Sequence, residues 1–105
     1  MANPTLTKRM TGYFKRQMAL YKDLLAYHES FQEELDAGRE DALAEKQRVN
    51  VREAAALERE FELLRREWEG AGDLTDAERA EVRDAARAAE ALGRQASQRN
   101  AEAAS

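Results

Sequence analysis

The sequence predicts an all-α protein, and its composition is the main reason. Of its 105 residues, 64 are Ala, Glu, Lys, Leu or Arg, a share typical of long or coiled helices. Only seven residues are β-branched, so the residue types that strands favour are scarce. We expect one domain, formed by a long antiparallel helical hairpin that resembles a coiled coil and by a third, Ala-rich helix.

The first helix is predicted to run from Pro4 to about Asp36. Asn3 is a favoured N-cap residue, and proline is favoured at the first helical position. Gly38 supplies the left-handed residue that commonly ends a helix. The second helix is therefore predicted over residues 39–69, before the break at residues 70–72.

The third helix is predicted over residues 75–100, followed by a frayed C-terminal tail. Thr75 and Glu78 have the spacing of a capping box, and Leu74 lies where a hydrophobic staple is expected. Its apolar stripe has only two large side chains, whose burial contributes roughly 3 to 6 kcal/mol. Ordering the helix costs about 1 kcal/mol or more per residue, so we expect it to form readily but to dock weakly. The stripe consists of Val82, Ala85, Ala89, Leu92 and Ala96.

Apolar residues recur with alternating spacings of four and three along the first two helices, which predicts a continuous seam between them. The short turn at Gly38 makes the helices antiparallel, and the seams align when the numbers of facing residues add up to about 78. This register pairs Met10 with Trp68 and His28 with Asn50. It also places the basic residues 1–22 along the acidic end of the second helix.

The residues that most enzymes need are missing or isolated. One histidine and no cysteine make a nucleophile relay, a multi-histidine metal site or a thiolate site improbable. The glycines at residues 70–72 lack the strand, Lys and Ser/Thr of a phosphate-binding loop. Abundant Glu on amphipathic helices is typical of a solvated face. We therefore expect no enzyme activity, catalytic residue, cofactor or metal site.

Polar and basic residues in the first two helices have two interpretations each. His28 is either a pH switch or, as we expect, a structural histidine near Asn50 or Gln47. The two amide residues either contact a partner or set the helix register, which we favour. The heptad-spaced lysines, beside Tyr13 and Phe14, either form an anionic-lipid or nucleic-acid surface or pair with the second helix. We favour the pairing, because the basic stretch would lie along the acid-rich end of the second helix, and the net charge of −4 argues against attraction of the whole molecule to nucleic acid. These lysines are Lys8, Lys15 and Lys22.

Short segments of all three helices together resemble one known family. They are Leu20-Tyr21-Lys22-Asp23-Leu24-Leu25, Ala37-Gly38, Ala42-Leu43, Glu45-Lys46-Gln47, Leu57-Glu58-Arg59, Leu63-Leu64 with Trp68, Leu74-Thr75-Asp76-Ala77-Glu78-Arg79, and Gln98-Arg99-Asn100. From about residue 10 to 100 the chain is similar to flagellar export chaperones of the FlgN family. The resemblance implies a cytoplasmic, non-enzymatic chaperone that binds helical terminal segments of unassembled hook-associated (filament-junction) proteins. It also implies that the chaperone prevents premature assembly and delivers its partner to the type III export gate.

We expect the smooth stripe of the third helix to contact such a partner, or a second copy in a homodimer, because small side chains allow a close helix approach. The expected contact residues are Val82, Ala85, Ala89, Leu92 and Ala96, with Arg99 and Asn100 at the rim. Leu92→Asp is then predicted to abolish partner binding and to leave the hairpin folded. Two other classes remain open, namely a generic self-associating coiled-coil scaffold and a nucleic-acid or membrane-surface module. No apolar stretch is long enough to insert into a membrane.

Overall fold

A computed structural model describes residues 2–104, with side chains as far as residue 98. It contains three helices, α1 (Pro4–Asp36), α2 (Glu40–Gly70) and α3 (Asp76–Ala104), and no strand among the described residues. The all-α prediction is confirmed. Each helix begins within one residue of its predicted start, but α3 continues to Ala104 instead of ending near residue 100.

The ends of α1 follow the capping rules that its sequence indicates. The Asn3 side chain accepts a hydrogen bond from the Leu6 N–H at 3.2 Å. At the other end, the Arg39 N–H donates to the Glu34 carbonyl at 2.9 Å, and Gly38 has a φ of 76°. This is the Schellman arrangement, in which a left-handed glycine lets the chain reverse into α2.

The central helix is α1, and both other helices pack on it. Arg9 and Arg16 of α1 pair with Glu67 and Glu60 of α2, so α1 and α2 run in opposite directions. The backbone of Asn3, just before α1, contacts Glu78 of α3, and further along α1 the ring of Tyr21 lies against α3, so α1 and α3 run in the same direction. Among the described residues, no Cα atom of α2 lies within 8 Å of one in α3. The molecule is elongated, at 57 × 21 × 18 Å.

One hydrophobic core lies where α1 begins and α2 ends. Its buried members come from all three helices: Leu6, Met10, Tyr13, Phe14, Leu64, Val82 and Ala89. The ring of Phe61 stacks on Tyr13 at a centroid distance of 5.4 Å and lies 6.5 Å from Phe14. This aromatic contact and the ion pair between Arg9 and Glu67 differ from the predicted register by at least two residues.

The opposite end of the α1–α2 pair, here called the turn half (residues 24–54), is less well packed. Leu43 and Asn50 are its only buried residues in the described part of the chain. The large side chain of Phe31 is 38% exposed. Apolar burial, and with it the hydrophobic stabilisation, is therefore concentrated in the other half of the molecule.

Candidate partner-binding surface of helix α3

The predicted contact stripe of α3 faces α1 in the structure. Val82, Ala89 and Ala96 are buried, and the Ala89 side chain is fully shielded at 0% exposure. Ala85 and Leu92 are half-buried. The stripe is therefore not an open surface, and a partner can reach it only if α3 moves away from α1. Arg99 and Asn100 lie outside the residues whose side chains the structure describes.

A small residue lets α3 approach the Tyr21 ring of α1 closely. A Cβ atom built on Gly93 would lie 3.0 Å from two ring carbons of Tyr21, a distance that real Cβ atoms rarely show. The glycine thus makes room for the aromatic ring. The expectation of weak docking counted large apolar side chains only, and it missed this contact of a glycine with a large ring.

The Glu78 carboxylate joins the beginnings of α1 and α3. The Thr75 N–H donates to Glu78 Oε1 at 3.0 Å, and the Glu78 N–H donates to Thr75 Oγ1 at 3.1 Å, which is the predicted capping box. Glu78 Oε2 also accepts from the Asn3 N–H at 3.1 Å and from the Thr7 hydroxyl at 2.9 Å. We call this four-residue cluster of Asn3, Thr7, Thr75 and Glu78 the Glu78 clasp. The sequence predicted the capping box but not the hydrogen bonds that join Glu78 to Asn3 and Thr7.

The clasp favours the ionised form of its carboxyl group. The backbone hydrogen bond from Thr75 contributes most, and those from Asn3 and Thr7 add to it, so the pKa of Glu78 lies below its ordinary value of 4.5. All of these groups donate to the carboxylate, and a protonated carboxyl group accepts such bonds less well. The clasp therefore holds α3 to α1 most firmly when Glu78 is charged.

Ion pairs on the other side of α1 confirm only part of the predicted charge pairing. Arg9 Nη1 lies 2.6 Å from Glu67 Oε2, and Arg16 binds both carboxylate oxygens of Glu60. The Arg16 guanidinium lowers the pKa of Glu60 through its hydrogen bonds. For the three heptad-spaced lysines the preferred interpretation was wrong. Lys8, Lys15 and Lys22 are exposed and have no ion-pair partner among the described residues.

The polar residues predicted in the seam have different outcomes. Asn50 is buried, but Gln47 is exposed and does not lie in the helix interface. His28 has no hydrogen bond within the described part of the chain, and its ring lies edge-on to that of Tyr27 at 5.5 Å. The predicted hydrogen bond from His28 to Asn50 or Gln47 is thus not formed among the described residues.

Two further findings concern what the described residues contain. They include no group of three or more His, Cys, Asp or Glu side chains placed to hold a metal ion. Among residues 2–104, no helix combines the length and the apolar character that crossing a membrane requires.

Comparison with known proteins leaves the family open. No family model, curated protein or solved structure matches the chain.

Proposed function

We propose that the protein is a non-enzymatic, cytoplasmic chaperone of the flagellar export type, which binds a helical terminal segment of an unassembled hook-associated protein. The resemblance to the FlgN family supports this kind of partner. The arrangement of the helices supports a mode of binding in which the partner helix takes the place of α3 on α1.

One observation carries this proposal: the backbone of α3 approaches that of α1 but not that of α2 in the described residues. The departure of α3 would leave the contacts between α1 and α2 in place, including the pair of Arg16 with Glu60. The α1 surface beneath α3 carries the large ring of Tyr21, whereas α3 presents mostly alanine to it. A partner helix with larger side chains would gain more from binding that surface.

The matched variants Ala89→Asp and Ala88→Asp test this exchange. Ala89 is buried against α1 and Ala88 is exposed, so the same substitution in neighbouring residues loosens α3 in one variant only. Because wild-type affinity is reduced by the fraction of molecules with α3 in place, Ala89→Asp should bind the partner about tenfold more tightly. Ala88→Asp should bind like the wild type.

The measurement is fluorescence anisotropy of a labelled peptide from the terminal helical segment of a hook-associated protein of the same organism. Lower affinity of Ala89→Asp and Leu92→Asp would instead place the partner on the α3 stripe, as the sequence predicted. Absence of binding by the wild type and by every variant would contradict the chaperone function itself.

A further inference from the structure

A shallow groove with a largely apolar floor runs along α1 and α2. Its two adjoining parts, of about 480 and 390 Å³, share Asp23. We call the surface around this groove the outer face. It is lined by Ala19, Ala26 and Tyr27 of α1 and by Val49 and Ala56 of α2. Val49 is 36% exposed, and Leu63, one heptad beyond Ala56, is 63% exposed. Large apolar side chains are thus left uncovered on this face.

The α1 rim of the outer face has a charge stripe that changes sign midway. Charged residues follow one another every seven positions, and they are Lys8, Lys15, Lys22, Glu29 and Asp36. All five are exposed, and none forms an ion pair within the described residues. Lys15 and Lys22 each precede a groove alanine by four residues, so they lie on the same side of α1 as the groove.

The α2 rim has a related stripe with one acidic and three basic residues. Exposed charged residues again recur every seven positions, as Glu45, Arg52, Arg59 and Arg66. Glu45 binds Arg48 at 2.6 Å and approaches Arg52 to 3.8 Å. The sign changes near Ala26 on α1 and near Val49 on α2, and these two residues line the same part of the groove. The charged stripe on each rim therefore changes sign, whereas the groove between the rims is lined by charges of both signs. They are Arg16, Asp23, Glu45, Lys46, Glu53 and Glu60.

We propose that the outer face binds a second copy of the chain in an antiparallel, two-fold symmetric dimer. Rotation by 180° about an axis across the groove near Ala26 and Val49 lays the basic half of each copy's α1 stripe on the acidic half of the other copy's α1 stripe. Lys22 then faces Glu29 of the second copy, and Lys15 faces its Asp36. A parallel pair would instead oppose like charges.

Apolar contact across the axis supplies the affinity, and the charges determine the orientation. Exposed ion pairs each contribute about 1 kcal/mol or less, so the stripes alone would not hold two copies together. Because a two-fold interface uses the same face on both copies, no charged stripe remains exposed to bind a third copy. This favours a dimer over a filament. The surface lies apart from the α1–α3 contact, so this inference does not depend on the proposed function.

A charge-swap experiment tests the dimer. The acidic variant carries Lys15→Glu and Lys22→Glu, and the basic variant carries Glu29→Lys and Asp36→Lys. Each variant opposes like charges in its own dimer and should self-associate at least about tenfold more weakly than the wild type. Their mixture restores every opposite-charge pair and should associate like the wild type. Sedimentation velocity over a range of protein concentrations, at about 50 and about 500 mM salt, measures all three.

Three control variants separate the outer face from general effects of charge and polarity. Glu81→Lys with Asp84→Lys changes the net charge as much as the basic variant does, but on exposed positions of α3, and it should still dimerise. Val49→Asp should dissociate the dimer, whereas Val51→Asp should not, because Val51 is exposed at 58% but does not line this groove. Circular dichroism verifies that every variant is helical.

Several results would overturn the proposal. The first is a wild type that stays monomeric at low salt up to about 0.5 mM. The second is that the acidic and basic variants associate alone as strongly as they do in mixture. The third is loss of the dimer in the control with Glu81→Lys and Asp84→Lys. A monomeric wild type that sediments with vesicles of phosphatidylcholine and phosphatidylserine, and loses this binding in the acidic variant, would assign the lysine stripe to a membrane surface instead. Binding of a single-stranded DNA oligonucleotide with the same dependence would assign it to nucleic acid.

Discussion

At the scale of single residues, the Glu78 carboxylate caps two helices at once. It accepts from the backbone N–H groups of Thr75 and Asn3 and from the hydroxyl groups of Thr75 and Thr7. These donors lie at the adjacent N-termini of α1 and α3. A negative charge there also interacts favourably with the positive ends of two parallel helix dipoles. A neutral side chain cannot replace both the charge and the two acceptor atoms.

We therefore predict that Glu78→Gln lowers the urea midpoint of unfolding at pH 7, because an amide NH₂ group would face donors that now bind an oxygen. The matched control is Glu81→Gln, an exposed residue of the same helix without a hydrogen bond among the described residues. Circular dichroism measures both midpoints. Equal midpoints for the two variants would contradict a stabilising role of the clasp.

The lowered pKa of Glu78 gives this contribution a pH dependence of known sign. A carboxyl group with a lower pKa in the folded state stabilises the fold above its unfolded-state pKa, near 4.5, and this stabilisation is lost as the pH falls through the folded-state pKa. The difference between wild type and Glu78→Gln should thus be constant above about pH 5 and shrink on further acidification. A difference that does not change down to pH 2.5 would show that the charge is irrelevant.

Gly93 is the residue whose substitution tests the close approach of α3. A helical glycine normally costs about 1 kcal/mol relative to alanine, and Gly12→Ala, with open space around it, should recover up to about that amount. Gly93→Ala should recover much less, since its methyl group meets the Tyr21 ring. In a Tyr21→Ala background the full gain should return. Urea unfolding of the four proteins that carry changes at residues 21 and 93 measures the coupling, and simple additivity would refute the contact.

At the scale of whole helices, periodicity and capping predict what each helix is but not which neighbour it packs on. The spacing of Val82, Ala89 and Ala96 indicates one apolar face, and that face is indeed buried. Its partner could not be predicted, since alanine packs equally well on many surfaces. The sequence therefore did not predict that α1 is the central helix.

The differences in helix register have a similar origin. Heptad spacing aligns seams to within a turn, but the position of Phe61 against Tyr13 and Phe14 determines the actual register. The sequence did not predict the contacts between distant segments either. Glu78 was identified as a cap of its own helix, yet its bonds to Asn3 and Thr7 join residues about 70 positions apart. For Gly93 the sequence does contain a signal, because a glycine next to the alanines of the α3 stripe indicates a close contact between helices.

At the scale of the whole molecule, stability is unevenly distributed along the long axis. The hydrophobic core joins the beginning of α1, the end of α2 and α3, whereas the turn half of α2 buries only Leu43 and Asn50 among the described residues. Regions with little apolar burial open at lower free energy than the core does. The two halves of the single helix α2 should therefore differ in protection.

Native-state hydrogen exchange can measure this difference. We predict that amides of residues 44–54 exchange through local openings of lower free energy than those of residues 57–68, which surround the buried Leu64 (1% exposed). Leu64→Ala, which removes a buried side chain, should lower protection of the second segment by about 2 to 5 kcal/mol. The first segment should change little as long as it opens independently. Equal protection of both segments in the wild type would contradict this distribution, and it would mean that α2 unfolds as one cooperative unit despite its uneven burial.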